Sequence, residues 1–366
     1  MIMKKILVYI DSMSPAGGIE RVISNLTNVW SNKYKVFIIV KDRPYSFYEL
    51  DPRISILSLD SPLRLNMDNQ FSRIFNLIRN ISFTHNKLKK NVKKIDPDII
   101  YTANPVNSLE ICLLERNYSK ILIISEHGSK LGYNRIYNFI KKIVYPMAFK
   151  ISVPTTLDTK LYKEEGLPAV FIPHLSTFRN QEKTVIDNKN ILNIGRLTKD
   201  KQQLELLMIW NSIVKDSQQG DWKLRIVGRG EEKDRLLTYI KDNNLSNTVE
   251  ISDPSKNVDV IFKSASIFAF TSRFEGFGMV LLEAMSFGIP CISFDCPSGP
   301  RDIIDDGING YLIEDRNLKK YKKKLLELMN NCELRDRFSN ESFMKANSWN
   351  NNEILKKWDD IFTSLR

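Results

Sequence analysis

Two glutamates carry the first chemical signal in this sequence. The stretch Ser272–Pro290 reads SRFEGFGMVLLEAMSFGIP. Glu275 stands beside Gly276 and Gly278, and Glu283 lies inside an otherwise apolar run. The preceding Ile267–Phe270 has strand character, and Gly288-Ile289-Pro290 is a helix stop. The segment therefore reads as strand, glycine-bearing loop, helix. A helix start of this kind offers unsatisfied backbone N–H groups and the positive end of the helix dipole to an anion. Small glycines let such a ligand approach the backbone. The amides of Gly276, Phe277, Gly278, Met279 and Val280 are expected to hold it. Glu283 falls about one and a half turns into the helix. It is either a surface charge or an acceptor for vicinal hydroxyls such as those of ribose. Glu275, in the loop, is either a surface charge or faces a reacting sugar.

Cationic partners lie elsewhere in the chain. Arg196 and Lys201 follow a second apolar strand, Ile191–Gly195. A loop arginine with a lysine five residues on could clamp a diphosphate, by a bidentate guanidinium and a point-charge ammonium. Ordinary surface basicity is the alternative. Gly17 and Gly18 follow the first strand but lack the full GxGxxG spacing, so a dinucleotide site is weakly supported and a simple turn competes. His127 closes a strand in the run Glu126-His127-Gly128-Ser129-Lys130. A lone histidine is more often structural than catalytic. Asp295–Pro300 (DCPSGP) links a strand to a helix, with Pro300 suited to its first turn.

Together these residues resemble the Glu-x7-Glu retaining glycosyltransferases of family 4, which have the GT-B fold. The similarity runs through EGFGMVLLEAMSFGIP, Asp306–Leu312 (DGINGYL), Ile194–Lys201 (IGRLTKDK) and Ala16–Arg21 (AGGIER). It covers most of the chain. The resemblance implies that Arg196 and Lys201 neutralise a departing nucleoside diphosphate. It implies that Glu283 holds the ribose and that Glu275 orients the donor sugar without serving as a base. Gly17 and Gly18 would border donor phosphate and acceptor. His127 would sit near the donor sugar, with Glu126, Ser129 and Lys130 on the acceptor side. His174 departs from the asparagine common at its place in the family and receives no chemistry. The implied reaction moves a hexose or N-acetylhexosamine from a UDP-sugar, with retention. The acceptor would be a saccharide on a polyprenyl diphosphate, in bacterial surface-polysaccharide synthesis. No cofactor is expected beyond the nucleotide-sugar substrate. No metal is expected either, because the two cationic side chains can replace one.

Strands alternating with helices must position these groups. Lys5–Ile10, Lys35–Val40, Asp98–Thr102, Ile121–Ser125, Ile151–Pro154 and Ala169–Pro173 read as strands of a first α/β series. A second series opens at Ile191–Gly195 and continues through Trp222–Val227, Val249–Ile251, Ile267–Phe270 and Cys291–Phe294. Helices are predicted at Glu20–Trp30, Gln203–Lys215, Glu231–Asn243, Asn257–Lys263 and Gly278–Phe287. This alternation implies parallel sheets covered on both faces. The expected architecture is α/β, with two Rossmann-like domains facing across a cleft. Residues 1–176 would form the acceptor domain, 177–190 a polar linker and 191–347 the nucleotide-sugar domain. Residues 348–366 would form an amphipathic helix at the domain junction, N-capped by Ser348.

Composition narrows the partners. The 366 residues are 42% hydrophobic and 27% charged, which suits two globular cores and argues against global disorder. A net charge of +11 suggests an anionic partner. Lys130–Phe149 interleaves basic and aromatic residues, which suits an anionic membrane surface. Lys87–Lys94 and Lys319–Lys324 read as solvated faces, and no nucleic-acid motif is recognised. The four cysteines show no CxxC pair and read as buried, reduced thiols; the three histidines make a His-rich metal site improbable. The N-terminus reads as a first strand and not a signal peptide, and no spanning helix is expected. The expected location is cytoplasmic and peripheral on the inner membrane face. Two competing functions remain: a sugar-nucleotide epimerase of the same fold class, and a non-catalytic membrane-bound scaffold.

Overall fold

The computed structural model describes residues 3–61, 70–178, 181–255 and 257–365, with side chains described from residue 78 onward in the second stretch. Two compact units emerge. The first comprises Met1–Leu175 with Asn352–Arg366, and the second Ser176–Asn351.

In the first unit seven strands form one parallel sheet. They are β1 (Lys5–Ile10), β2 (Lys35–Val40), β3 (Ser55–Ser58), β4 (Ile99–Thr102), β5 (Leu122–Ser125), β6 (Lys150–Val153) and β7 (Ala169–Phe171). Their order is β3-β2-β1-β4-β5-β6-β7. The strands are short apolar runs because helices cover both faces: Ile6, Leu7, Val8 and Tyr9 of β1 are all fully buried. The helices are α1 (Gly18–Trp30), α2 (Gln70–Ile95), α3 (Pro105–Leu114), α4 (Arg135–Val144) and α5 (Thr156–Glu164). In α2 the basic run is half of an amphipathic helix: Leu88 and Val92 are buried, while Lys93 pairs with Glu115 at 2.9 Å.

The second unit repeats the plan with six strands. They are β8 (Asn190–Ile194), β9 (Lys223–Val227), β10 (Val249–Ser252), β11 (Ile267–Phe270), β12 (Cys291–Asp295) and β13 (Gly310–Glu314). The order is β10-β9-β8-β11-β12-β13, again all parallel. The helices are α6 (Gln203–Lys215), α7 (Lys233–Asp242), α8 (Val258–Lys263), α9 (Met279–Ser286), α10 (Pro300–Ile303), α11 (Leu318–Asn330) and α12 (Cys332–Asn347). Both sheets reverse direction beside their first strand, between β1 and β4 and between β8 and β11. In open parallel sheets such a switch point is where ligands bind, at the carboxyl ends of the strands.

Several expectations need revision. Residues 177–190 are not a free linker. Phe178 packs on Phe262 and Phe287, Ile186 is buried, and the Thr184 N–H donates to the Phe287 carbonyl at 2.9 Å. Residues 179 and 180 lie outside the described residues. Ser348 is not the N-cap of the last helix. It closes α12, and its hydroxyl donates to the Lys345 carbonyl. The last helix, α13 (Asn351–Ser364), belongs to the first unit from Asn352 onward. There Trp358 and Phe362 pack edge-on and tilted around Trp30, with Tyr101 beside Trp358. The Asn351 side chain, at the boundary, accepts from the Ser176 N–H and donates to its carbonyl. Of the cysteines, Cys291 and Cys296 are buried, Cys112 half-buried and Cys332 exposed; all four are free thiols.

Candidate functional site

The second unit builds its site at the β8/β11 switch point. Past β8 the chain turns back so that the Leu197 N–H donates to the Arg229 carbonyl at 2.8 Å. Lys201 then reaches the loop after β11. Its ammonium is paired with Glu275, and both side chains are largely shielded, at 19% and 10% exposure. Two further bonds stitch the loops together: Thr271 Oγ1 donates to the Lys201 carbonyl at 2.9 Å, and the Arg273 N–H to the Asp200 carbonyl at 2.8 Å. Residues seventy positions apart in sequence thus share one rim. Gln202 takes a left-handed backbone, φ 52°, to turn this loop into α6, and Gln203 Nε2 ties back to the Arg196 carbonyl. The Arg196 side chain itself is exposed.

The expected loop and helix start are present around Gly276–Val280. Gly278 precedes α9 in the left-handed region, φ 87°, a conformation that favours glycine. Phe277 is buried against Trp349, and Met279 and Gly276 are buried while Val280 is half-buried. The DCPSGP loop backs this turn: Gly299 adopts φ 92°, and a Cβ there would meet the Phe277 carbonyl at 2.6 Å and Glu275 Cβ at 3.2 Å. Pro300 opens α10 as predicted. Glu283 is 7% exposed inside α9, so it is not a solvated surface charge.

The first unit places its candidates at the carboxyl ends of β1, β4 and β5. Gly17 caps α1, and a Cβ on it would meet the Glu20 carboxylate at 2.1 Å; Gly18 has open space around it. His127 follows β5, with Nε2 3.2 Å from the Tyr101 hydroxyl and its ring stacked on His174 at 5.3 Å. Burial pushes the His127 pKa down to about 4, so the ring is a neutral hydrogen-bonding group at pH 7. His174, unassigned from sequence, is the surface His127 rests on.

Glu126 requires a correction. It is not presented to an acceptor: it is 1% exposed and takes hydrogen bonds from Tyr133, Tyr145 and Tyr162, with Lys141 paired at 2.6 Å. Burial works to raise its pKa, but the Lys141 ammonium and the tyrosine hydrogen bonds together outweigh it and hold the carboxyl below its usual range. Glu126 therefore organises the base of the site. Ser129 is buried and caps the turn at Lys130–Gly132, and Lys130 is paired with Glu165. Neither side chain presents itself as an open acceptor contact.

Sequence reasoning missed one group altogether. Asp11, immediately after β1, is held by Lys41 at 2.9 Å, while Lys41 also contacts Glu110 at 2.7 Å. A single aspartate ending a strand carries no motif, and its partners come from β2 and α3. The triplet Asp96-Pro97-Asp98 lies before β4, at the opposite sheet end, where Asp98 accepts the Lys5 N–H. Among the described residues, no group of three or more His, Cys, Asp or Glu side chains could hold a metal ion.

Two units of Rossmann-like strand order, one with a glycine-bearing helix start and a loop arginine and lysine, have the plan of the GT-B class of fold. Structural comparison agrees on the fold. A variant of S. aureus TarM, crystallised with fondaparinux, α-GlcNAc-glycerol and UDP, superposes with a TM-score of 0.80 at 16% identity, covering 98% of this chain and all of that one. The lipopolysaccharide outer core galactosyltransferase WaaB superposes with a TM-score of 0.68 at 21% identity, over 99% of each chain. The model of the family described as "Glycosyl transferases group 1" matches residues 176–343. The amylovoran biosynthesis glycosyltransferase AmsD of Erwinia amylovora is 33% identical over 98% of this chain and 99% of its own. A Campylobacter jejuni α-1,4-N-acetyl-D-galactosaminyltransferase, named for a diNAcBac-PP-undecaprenol-linked acceptor, is 24% identical over the whole of this chain and 99% of its own. The chain belongs to the group 1 glycosyl transferases and is a glycosyltransferase.

Proposed function

We propose that this enzyme transfers a hexose or N-acetylhexosamine from a UDP-sugar, with retention, to a saccharide on a polyprenyl diphosphate in bacterial surface-glycan synthesis. The observation that carries the donor half is the Lys201–Glu275 pair beside the Gly276–Val280 amides. An ammonium has three donors, so Lys201 can keep Glu275 oriented while giving a proton-bearing direction to a diphosphate. Arg196, exposed on the same loop, adds bidentate charge. The acceptor class is supported by the acceptor for which the Campylobacter relative is named, and UDP by the ligand of the TarM structure.

In the front-face reaction the acceptor oxygen bonds to the anomeric carbon on the side from which UDP departs. The carbon–oxygen bond to the diphosphate breaks, and the acceptor proton passes to a diphosphate oxygen. No protein base is needed. Lys201, Arg196 and the α9 amides stabilise the leaving charge without a metal. Glu283 takes the ribose hydroxyls. Neutral His127, on the first unit, is available as a hydrogen-bonding group for a sugar hydroxyl. The membrane face of the reading is supported by α4 and its approach, where Leu131, Phe139 and Ile143 are exposed beside Arg135 and Lys142. This supports a peripheral seat for the enzyme at the cytoplasmic leaflet.

The test is turnover with a panel of UDP-sugars, with and without polyprenyl-diphosphate-linked saccharides, in a metal chelator. We expect acceptor-dependent UDP release. Lys201→Ala should lower kcat/KM by about 100-fold or more, weakening UDP binding as well. Glu275→Gln should lose transfer comparably while UDP still binds. UDP release that no acceptor stimulates, with any donor, overturns this reading.

A further inference from the structure

Asp11 sits at the β1/β4 switch point of the first unit, the counterpart of the place where the second unit carries Lys201 and Glu275. Its carboxylate is oriented from three sides. Asn104, which opens α3, accepts the Asn107 N–H through Oδ1, so its Nδ2 is the atom that donates to Asp11 Oδ2 at 3.1 Å. That Nδ2 also donates to Asn107 Oδ1, which fixes the second amide. Asn107 Nδ2 then donates to Asp11 Oδ1 at 2.9 Å. Lys41 completes the set from the end of β2.

The charge count is the unusual part. Lys41 is 2% exposed and already has a fully buried counter-ion in Glu110, itself held by Tyr9 at 3.0 Å and Thr84 at 3.3 Å. One ammonium between two carboxylates leaves a net charge of about −1 in a low-dielectric surround, which is unfavourable for folding. Of the three, only Asp11 reaches the surface, at 39% exposure. Burial tends to raise its pKa, but Lys41 and the two amides outweigh that and keep it ionised. An oriented anionic acceptor that is still partly open matches the chemistry of a sugar, whose hydroxyls donate hydrogen bonds.

We propose that Asp11 is a specificity-determining residue that accepts hydrogen bonds from hydroxyls of the acceptor saccharide. This rests on the glycosyltransferase reading above and adds the residue that selects the acceptor. Asp11 does not take the acceptor's proton, since Lys41 and the two amides make it a weak base. Its charge also disfavours the donor diphosphate at this position, which leaves the acceptor as its ligand.

The test uses the full chain saturated with UDP and a set of methyl glycosides (α-glucoside, α-galactoside and their N-acetylamino counterparts), followed by saturation-transfer NMR. At least one should bind the unaltered enzyme, and Asp11→Asn should weaken it about tenfold or more. Deoxygenating the recognised hydroxyl should weaken binding to the unaltered enzyme equally, with no further loss in Asp11→Asn. The Asp11→Asn enzyme should remain folded, because Glu110 still neutralises Lys41, and its UDP affinity should stay unchanged, because the proposed donor residues belong to the second unit. Asp11→Glu, which keeps the charge but shifts it, should fall between. Binding of no glycoside, or equal binding to the unaltered enzyme and both variants, overturns the proposal. A lack of acceptor-stimulated UDP release in the turnover panel instead overturns the functional reading, and is scored separately.

Discussion

His127 shows what a residue type discloses and what it withholds. The sequence places it at a strand end, and a strand end is a functional address. Its protonation state comes from the packing around it, with His174 stacked beneath and Tyr101 alongside. The sign of its effect on stability follows. An unfolded histidine takes a proton below about 6.5, whereas folded His127 does so only near 4. Its contribution is therefore complete above pH 6.5 and is lost as the pH falls from there towards 4. The loss is at most about 1.4 kcal/mol per pH unit for each such histidine, and His174 is displaced in the same direction. Thermal midpoints should decline across that window, before the carboxylates protonate, and His127→Asn should flatten the decline. An unchanged slope in His127→Asn would show that other groups carry it. Glu126 is the opposite case. The pattern Glu-His-Gly marked it as a contact, but three tyrosines and Lys141 from later helices enclose it.

At the scale of elements, most strands were legible because buried parallel strands are short continuous apolar runs. Lys5–Ile10, Lys35–Val40 and Ile267–Phe270 have the bounds the sequence suggested. β3 and β13 were not read as strands: SILS is half polar, and the DGINGYL segment reads as a turn. Helices α2, α3, α4 and α5 also escaped prediction. In α3 nearly every face is apolar, so its periodicity is weak, and its start depends on the Asn104 cap. The last helix was found, but not its host, since an amphipathic stripe does not name its partner. Trp358 is 3% exposed within the Trp30, Tyr101 and Phe362 group. Trp358→Ala should destabilise the protein by about 3–5 kcal/mol, measured by denaturant unfolding. UDP affinity of the remaining folded protein should hold, because the donor-side residues belong to the other unit. A loss of UDP affinity as large as the loss of stability would contradict that division.

For the whole molecule, charge is the property that composition states directly. The net +11 includes lysines with close carboxylate partners, such as Lys322 with Asp216 and Lys345 with Asp305. Others, including Arg135 and Lys142 on α4, are exposed beside Phe139 and Ile143. No described helix is long and apolar enough to cross a membrane. Vesicles of phosphatidylglycerol should therefore retain the enzyme at low ionic strength, and phosphatidylcholine vesicles should not. Retention should drop several-fold at 0.5 M salt, where the screening length falls to about 4 Å, and in Phe139→Glu. Salt-insensitive binding would point to apolar insertion alone.

By itself the sequence determined the two α/β series, the glycine-bearing helix start with Glu275 and Glu283, and the loop cations Arg196 and Lys201. These signals are local: each is a periodicity, a stop or a spacing within about twenty residues. The tertiary structure decided which side chains meet. It joined Lys201 to Glu275, buried Glu126 under tyrosines, docked residues 177–190 on the second unit and returned the last helix to the first. It alone gathered Asp11, Lys41, Asn104 and Glu110 at one strand end. The reason is the parallel sheet itself, which brings the ends of strands distant in sequence into register and leaves no trace of that meeting in the local pattern.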